Sequence, residues 1–128
     1  MEYYFSTRLR MDFDTANARV TEELGKEGFG VVTKLDLQEK FREKLGKEFR
    51  KYTILGACNP GYAFKALQVE EKIGTMLPCN ILVIDREDGS IEVAAVNPVA
   101  SMMAIENKDL AGLADDITNR LKHVIAHL

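Results

Sequence analysis

The sequence predicts an α+β domain in which helices pack on a largely antiparallel sheet. Three observations lead there. The chain of 128 residues suits a single domain with one core, over residues 1–128. Its strand-like segments fall outside a regular strand–helix alternation, which argues against a parallel sheet. A hairpin signal at Asp88-Gly89 and a long amphipathic C-terminal helix complete the pattern.

Taken in order, Tyr3 to Arg10 is rich in aromatic and β-compatible residues and reads as a strand. Asp12 or Asp14 can cap a helix to about Lys26, with Phe13, Ala16, Val20 and Leu24 on one stripe and Gly28 as its stop. Val31 to Asp36 forms a second strand. Asp36 followed by Glu39 resembles a capping box before Leu37, Phe41, Leu45 and Phe49, a short helix with a narrow apolar face. Arg50 to Cys58 is the third strand.

Asn59 then caps a helix that has Pro60 at its first position, where the missing N–H costs nothing. Phe64, Leu67 and Ile73 supply its apolar side, and Gly74 ends it. Asn80–Asp85 and Ile91–Val96 pair around Asp88-Gly89. A two-residue turn there sets Ile84 opposite Val93, Leu82 opposite Ala95, and Asn80 opposite Asn97. Asn97-Pro98 opens a short turn through Met103, under which Met102 and Met103 pack. Asn107 starts the last helix, whose Leu110, Leu113, Ala114, Ile117, Leu121, Val124, Ile125 and Leu128 fall within one arc.

Both faces of the hairpin are apolar, so both need cover. The two long helices cover one face. The other falls to the short helices or to a second subunit, and their narrowness favours a homodimer.

The net charge of −3 and the absence of a basic run free of acidic residues argue against nucleic acid as a partner. The N-terminus, Met1-Glu2-Tyr3-Tyr4-Phe5, lacks the basic flank and apolar stretch of a secretion signal. Val93 to Ile105, the longest apolar stretch, is broken by Asn97-Pro98 and too short to cross a bilayer. A cytoplasmic location with no membrane partner follows as the expectation, and there the two cysteines stay reduced.

Those cysteines stand in a repeated dipeptide: Cys58-Asn59 before Pro60, and Cys79-Asn80 after Pro78. The stretch Ile54 to Val99 resembles the family catalogued as domain of unknown function 302. The residues that carry the likeness are Leu55-Gly56-Ala57-Cys58-Asn59-Pro60, Ala63, Leu67, Gly74, Leu77-Pro78-Cys79-Asn80, Val83, Gly89 and Asn97-Pro98. The resemblance implies a β-α-β4-α layout similar to that of the TATA-box-binding protein, and it implies dimers. A topology carries no DNA binding with it, and the family supplies no established activity, cofactor or catalytic residue.

If the third strand runs antiparallel to the fourth, Cys58, Asn59, Cys79, Asn80 and Asn97 share one rim with two helix starts. A right-handed parallel crossover would separate the cysteines. The residues alone leave that open, and the resembled family's topology favours the antiparallel case. Helix starts offer free N–H groups to an anion or a thiolate, and Cys58 directly precedes a cap, so it is the thiol expected to react.

Three functions compete. One is a ligand-binding site for a small molecule or an anion on those five residues. Another is a thiol-dependent enzyme or redox protein using Cys58 and Cys79. The third is a structural or interaction module in which both cysteines are simply buried. A zinc site of Cys58, Cys79, His123 and His127 is disfavoured: both histidines lie off the apolar arc of their helix, and the cysteine spacing is wrong for a zinc knuckle. No metal is expected. Tyr62 and Lys65 are further candidates to line a pocket, although Lys65 reads more naturally as a surface residue.

Overall fold

The computed structural model describes residues 1–128. Five strands form one sheet: β1 (Tyr4–Leu9), β2 (Gly30–Asp36), β3 (Tyr52–Cys58), β4 (Cys79–Asp85) and β5 (Ile91–Val96). They lie in the order β1-β5-β4-β3-β2, and every neighbouring pair is antiparallel. The helices are α1 (Phe13–Lys26), α2 (Leu37–Leu45), α3 (Pro60–Val69), α4 (Pro98–Ser101) and α5 (Lys108–Ala126), with a 3₁₀ turn at Glu71–Met76. The order is β-α-β4-α with short helical insertions, as the sequence and its resemblance predict.

Alternation along the strands directs Leu9, Leu55, Ile81, Val83, Ile91, Val93 and Ala95 to one face. Val20 and Leu24 of α1 and Leu121, Val124 and Ile125 of α5 cover it. Leu24, Ile81 and Leu121 are fully buried, and each such side chain stabilises the fold by about 1.5–3 kcal/mol. No helix is long and apolar enough to cross a membrane.

The caps explain where the helices begin. Asp12 accepts from the Thr15 amide at 2.8 Å and Asp36 from the Glu39 amide at 3.1 Å. Asn59, Asn97 and Asn107 do the same for α3, α4 and α5. After α1 the chain turns through Gly28 at φ +84°, a left-handed conformation costly to any residue with a Cβ.

Details of the hairpin and of two helices differ from the sequence-based expectation. The hairpin register is one residue off: Val83 pairs with Val93 and Ile81 with Ala95. The connection is Arg86–Ser90, not a two-residue turn, because Glu87 takes φ +61° as well as Gly89. Asp85 and Asp88 hold that loop by accepting from the Glu87 and Ser90 amides at 2.8 and 3.0 Å.

Helix α3 ends at Val69, short of Gly74, where the Asn107 side-chain amide takes up the Val69 carbonyl at 2.7 Å. The face of α3 turned inward carries Tyr62, Ala63 and Ala66, so Phe64 and Leu67 are exposed, at 66% and 43%. Helix α2 stops at Leu45 with Gly46 left-handed, and Phe49 reaches back to stack edge-on against Phe41 at 5.0 Å. Finally, β2 carries an irregularity between Val31 and Thr33.

The second sheet face bears Tyr4, Tyr52, Ile54, Leu82, Ile84, Ala94 and Val96 by the same alternation. Near Tyr52 it meets Phe49, 6.1 Å away. Burial, with Glu92 and Tyr3 close by, raises the Tyr52 hydroxyl above its ordinary pKa.

Candidate functional site

The antiparallel pairing of β3 with β4 sets Ala57 opposite Cys79. Cys58, the last residue of β3, is therefore a neighbour of Cys79, the first residue of β4. Both are free thiols, Cys58 half-buried and Cys79 buried. Both line a cavity of about 40 Å³ at this end of the sheet. Ala63 and Ala66 of α3 form one wall, and Leu110, Ala114 and Ile117 of α5 form another. Leu77, Pro78, Pro98 and Met102 close it from below the strand ends, so the lining is chiefly apolar.

The close approach of β3 to the Leu77–Pro78 segment depends on Gly56, where a Cβ would lie 2.6 Å from Pro78 Cγ and 2.0 Å from Thr33 Oγ1. The Leu77–Pro78 peptide is cis. Burial pushes the Cys79 thiol up to about 11, and the neighbouring Cys58 adds to the effect. Cys79 is therefore held as the neutral thiol.

Asn59 stands at the cavity's edge and joins two helices. Its Oδ1 accepts from the Tyr62 amide at 3.5 Å and its Nδ2 donates to the Glu27 carbonyl at 3.3 Å. Arg120 donates to that same carbonyl at 3.3 Å and lies over the Tyr62 ring at 5.2 Å, while the Tyr62 hydroxyl donates to Asp116. A polar fringe thus ties the end of α1, the start of α3 and the middle of α5 together beside an apolar chamber.

The five residues singled out by the sequence do not all meet. Cys58, Asn59 and Cys79 line the cavity; Asn80 and Asn97 do not. Asn80 is exposed and, one residue after Cys79, projects to the opposite sheet face. Continuing outward from Ile81↔Ala95, its partner position is Val96 and not Asn97. Asn97 is buried and committed to structure: Oδ1 caps α4 through the Val99 amide at 3.2 Å, and Nδ2 donates to the Glu2 carbonyl at 2.9 Å. It borders a separate surface cleft with Asp115, Thr118 and Lys122.

Tyr62 lines the cavity, whereas Lys65 does not and sits 5.9 Å from the Tyr62 ring. His123 pairs with Glu27 at 3.3 Å and stacks on His127, outside the cavity. No three His, Cys, Asp or Glu side chains gather closely enough to hold a metal ion.

Sequence reasoning missed Met102, Leu77 and the α5 wall as parts of the site. The signal for the wall was present: Leu110, Ala114 and Ile117 follow helical spacing, but that spacing says nothing of which neighbour a helix meets.

Comparison with known proteins places this geometry in a lineage. The chain matches the family described as "Domain of unknown function DUF302" over residues 5–128. It is similar to the crystal structure of an uncharacterized conserved protein DUF302 from Bacillus stearothermophilus, with a TM-score of 0.91 and 27% identity, covering 98% of each chain. It is also 38% identical over 45 residues to an uncharacterized protein of Aquifex aeolicus (strain VF5). That match takes in 35% of this chain and 31% of the relative, under a third of the latter's length.

Proposed function

We propose that this chain, which belongs to the DUF302 family, is a non-catalytic binding domain whose ligand occupies the cavity beside Cys58, Asn59 and Cys79. The observation that carries the reading is the cavity: a chiefly apolar chamber at the converging ends of β3 and β4, edged by polar groups. Ligand sites are concave and chiefly apolar, with a few polar groups that fix orientation.

Its size and lining narrow the ligand. At about 40 Å³ it is far smaller than the roughly 150 Å³ chamber that admits benzene, so the ligand is compact. An anion is disfavoured, because Asn80 and Asn97 lie elsewhere and no cationic side chain lines the chamber. A thiol-dependent enzyme is the weaker reading, since burial keeps Cys79 protonated and unsuited to thiolate chemistry. We place the protein in the cytoplasm, where both thiols stay reduced, and assign it neither a nucleic-acid nor a membrane partner.

The same reading includes a homodimer. Leu35, Tyr4 and Phe49 are exposed at 38%, 36% and 39% around a second-face centre in which Ile54 and Leu82 are half-buried and Ile84 and Ala94 buried. A second copy laid on that face covers the apolar surface that the two long helices leave open.

Xenon tests the chamber directly, because a dry apolar cavity takes up this probe. Methyl resonances of Ala66, Leu110 and Ala114 are expected to shift under xenon pressure, and Ala114→Val is expected to abolish the shifts. A native mass spectrum free of any copurified molecule, with no xenon response in the folded protein, overturns the proposal. Sedimentation as a monomer at micromolar concentration overturns the dimer.

A further inference from the structure

We propose that the cleft between the start of β1 and α5 is a second ligand site, separate from the chamber. Its ligand is a small ω-amino acid, held between Lys122 and Asp115 and bonded by Thr118.

One buried side chain in the molecule has no bond at all. Thr118 is 5% exposed, and its Oγ1 has no hydrogen-bond partner. The other unpaired buried atoms, on Asn17, Arg19 and Arg120, belong to groups that bond through a second atom. A helical threonine ordinarily bonds a carbonyl three or four residues back, and Thr118 does not. A buried hydroxyl left unpaired is costly and uncommon in native proteins. Thr118 lines the cleft, and a threonine has two open χ1 wells in a helix, so its hydroxyl can turn to a ligand seated there.

The cleft also holds opposite charges that leave one another unpaired. Asp115, Thr118, Asn119 and Lys122 stand at i, i+3, i+4 and i+7 on one face of α5. Glu2 lines the other side. Neither carboxylate forms a salt bridge, and Lys122 has only the Phe5 ring, whose centre is 5.2 Å from Nζ. The adjacent Asp116, by contrast, pairs with Arg120. Asn97 makes the wall opposite α5 a fixed one: buried, it caps α4 through the Val99 amide and donates to the Glu2 carbonyl.

Charge and spacing select the ligand. An anion alone meets Asp115 and Glu2, and a cation alone meets Lys122, whereas a zwitterion satisfies both signs. Asp115 and Lys122 are separated by about 10 Å along the helix axis. An ammonium at the Asp115 end and a carboxylate at the Lys122 end therefore suit charges parted by a short carbon chain. Phe5 and Val99 supply apolar surface for that chain. At about 580 Å³, the cleft falls within the roughly 300–1,000 Å³ of ordinary small-molecule sites.

Isothermal titration of the full chain with γ-aminobutyrate is the test, with amide NMR to locate the site. Saturable one-to-one binding is expected, with shifts centred on Thr118, Asn119 and Lys122. Thr118→Val, which keeps the side chain's shape, Lys122→Gln and Asp115→Asn are each expected to weaken binding about tenfold, the loss of one bond to a charged group. Thr118→Ser retains the hydroxyl and is expected to bind as the unaltered chain does. Butyrate and butylamine carry one charge each, and the charges of glycine adjoin, so all three are expected to bind more weakly.

Absence of saturable binding overturns the inference, as does an affinity unchanged by Lys122→Gln or by folded Thr118→Val. Butyrate, butylamine or glycine binding as tightly as γ-aminobutyrate overturns it too, and so do shifts centred on Ala66 and Leu110 of the chamber. If Thr118→Val fails to fold by circular dichroism, Lys122→Gln and Asp115→Asn, both at exposed positions, decide.

Discussion

Replacing Asn59 with alanine removes two bonds from one side chain, and the cost can be worked from the geometry. The cap to the Tyr62 amide is long at 3.5 Å, so it contributes about 0.5–1 kcal/mol, the lower part of the N-cap range. The link from Nδ2 to the Glu27 carbonyl at 3.3 Å contributes a further ~0.5–1 kcal/mol. Together the loss is about 1–2 kcal/mol. For a 128-residue chain the unfolding entropy converts this to a Tm lower by about 4–8 °C.

Asn59→Ser keeps a capping hydroxyl but falls short of Glu27, so it is expected to show about half of that drop. Calorimetry on the two variants and the unaltered chain reads both values. An alanine variant that melts with the parent, or a serine variant as unstable as the alanine one, refutes the account of Asn59 as both cap and bridge.

Three further outcomes follow from the same structure. Gly28→Ala forces a Cβ into a left-handed backbone and within 3.0 Å of Asn59 Nδ2, so a loss of about 1–2 kcal/mol is expected in urea unfolding. An alkylating reagent at pH 8 should label Cys58 in the folded protein and reach Cys79 only after denaturation, because burial holds that thiol at about 11; peptide mapping reads the order.

Acid should also destabilise the fold in a defined window. Hydrogen bonds from Thr15 to Asp12 and from Ser90 to Asp88 hold both carboxyls below the ordinary aspartate range. Folded values below unfolded ones give stability that is complete above the unfolded pKa and is lost as pH falls through the folded values. Tm is therefore expected to drop as pH falls below the ordinary aspartate pKa of about 3.9, and less steeply in Asp12→Asn, Asp88→Asn.

What could be read from the sequence was local. Asn59, Asn97 and Asn107 each cap the helix that follows, because capping needs only a short polar side chain two or three residues ahead of an amide. The arc of α5 is buried as its spacing predicts. The strand partners of Cys58 and Cys79 came from a topological argument, and the site exists because β3 and β4 are antiparallel.

The losses came where local signals meet tertiary packing. Asp88-Gly89 carries a strong turn signal, but Glu87 also adopts positive φ and the Asp85 side chain braces the loop, which lengthens the connection and slides the register by one. A slide of one residue turns every side chain to the other face, and with it went the expected pairing of Asn80 with Asn97. Phe64 and Leu67 misled for a related reason. Large apolar residues mark a helix's inner face only when the gap beneath it is wide, and α3 faces α5 and the cavity through Ala63 and Ala66. Met102 and Leu77 reach the cavity through tertiary packing that no short window of sequence encodes.

The claim on which the functional account rests is that two thiols from different strands open onto a single small chamber. An anomalous difference map from a crystal of the reduced protein soaked in mercuric ion measures this most directly. One peak lying between Cys58 Sγ and Cys79 Sγ, enclosed by α3 and α5, is the predicted result. Separate peaks on opposite sides of the sheet, or mercury at Cys58 alone with Cys79 walled off from it, would contradict the claim.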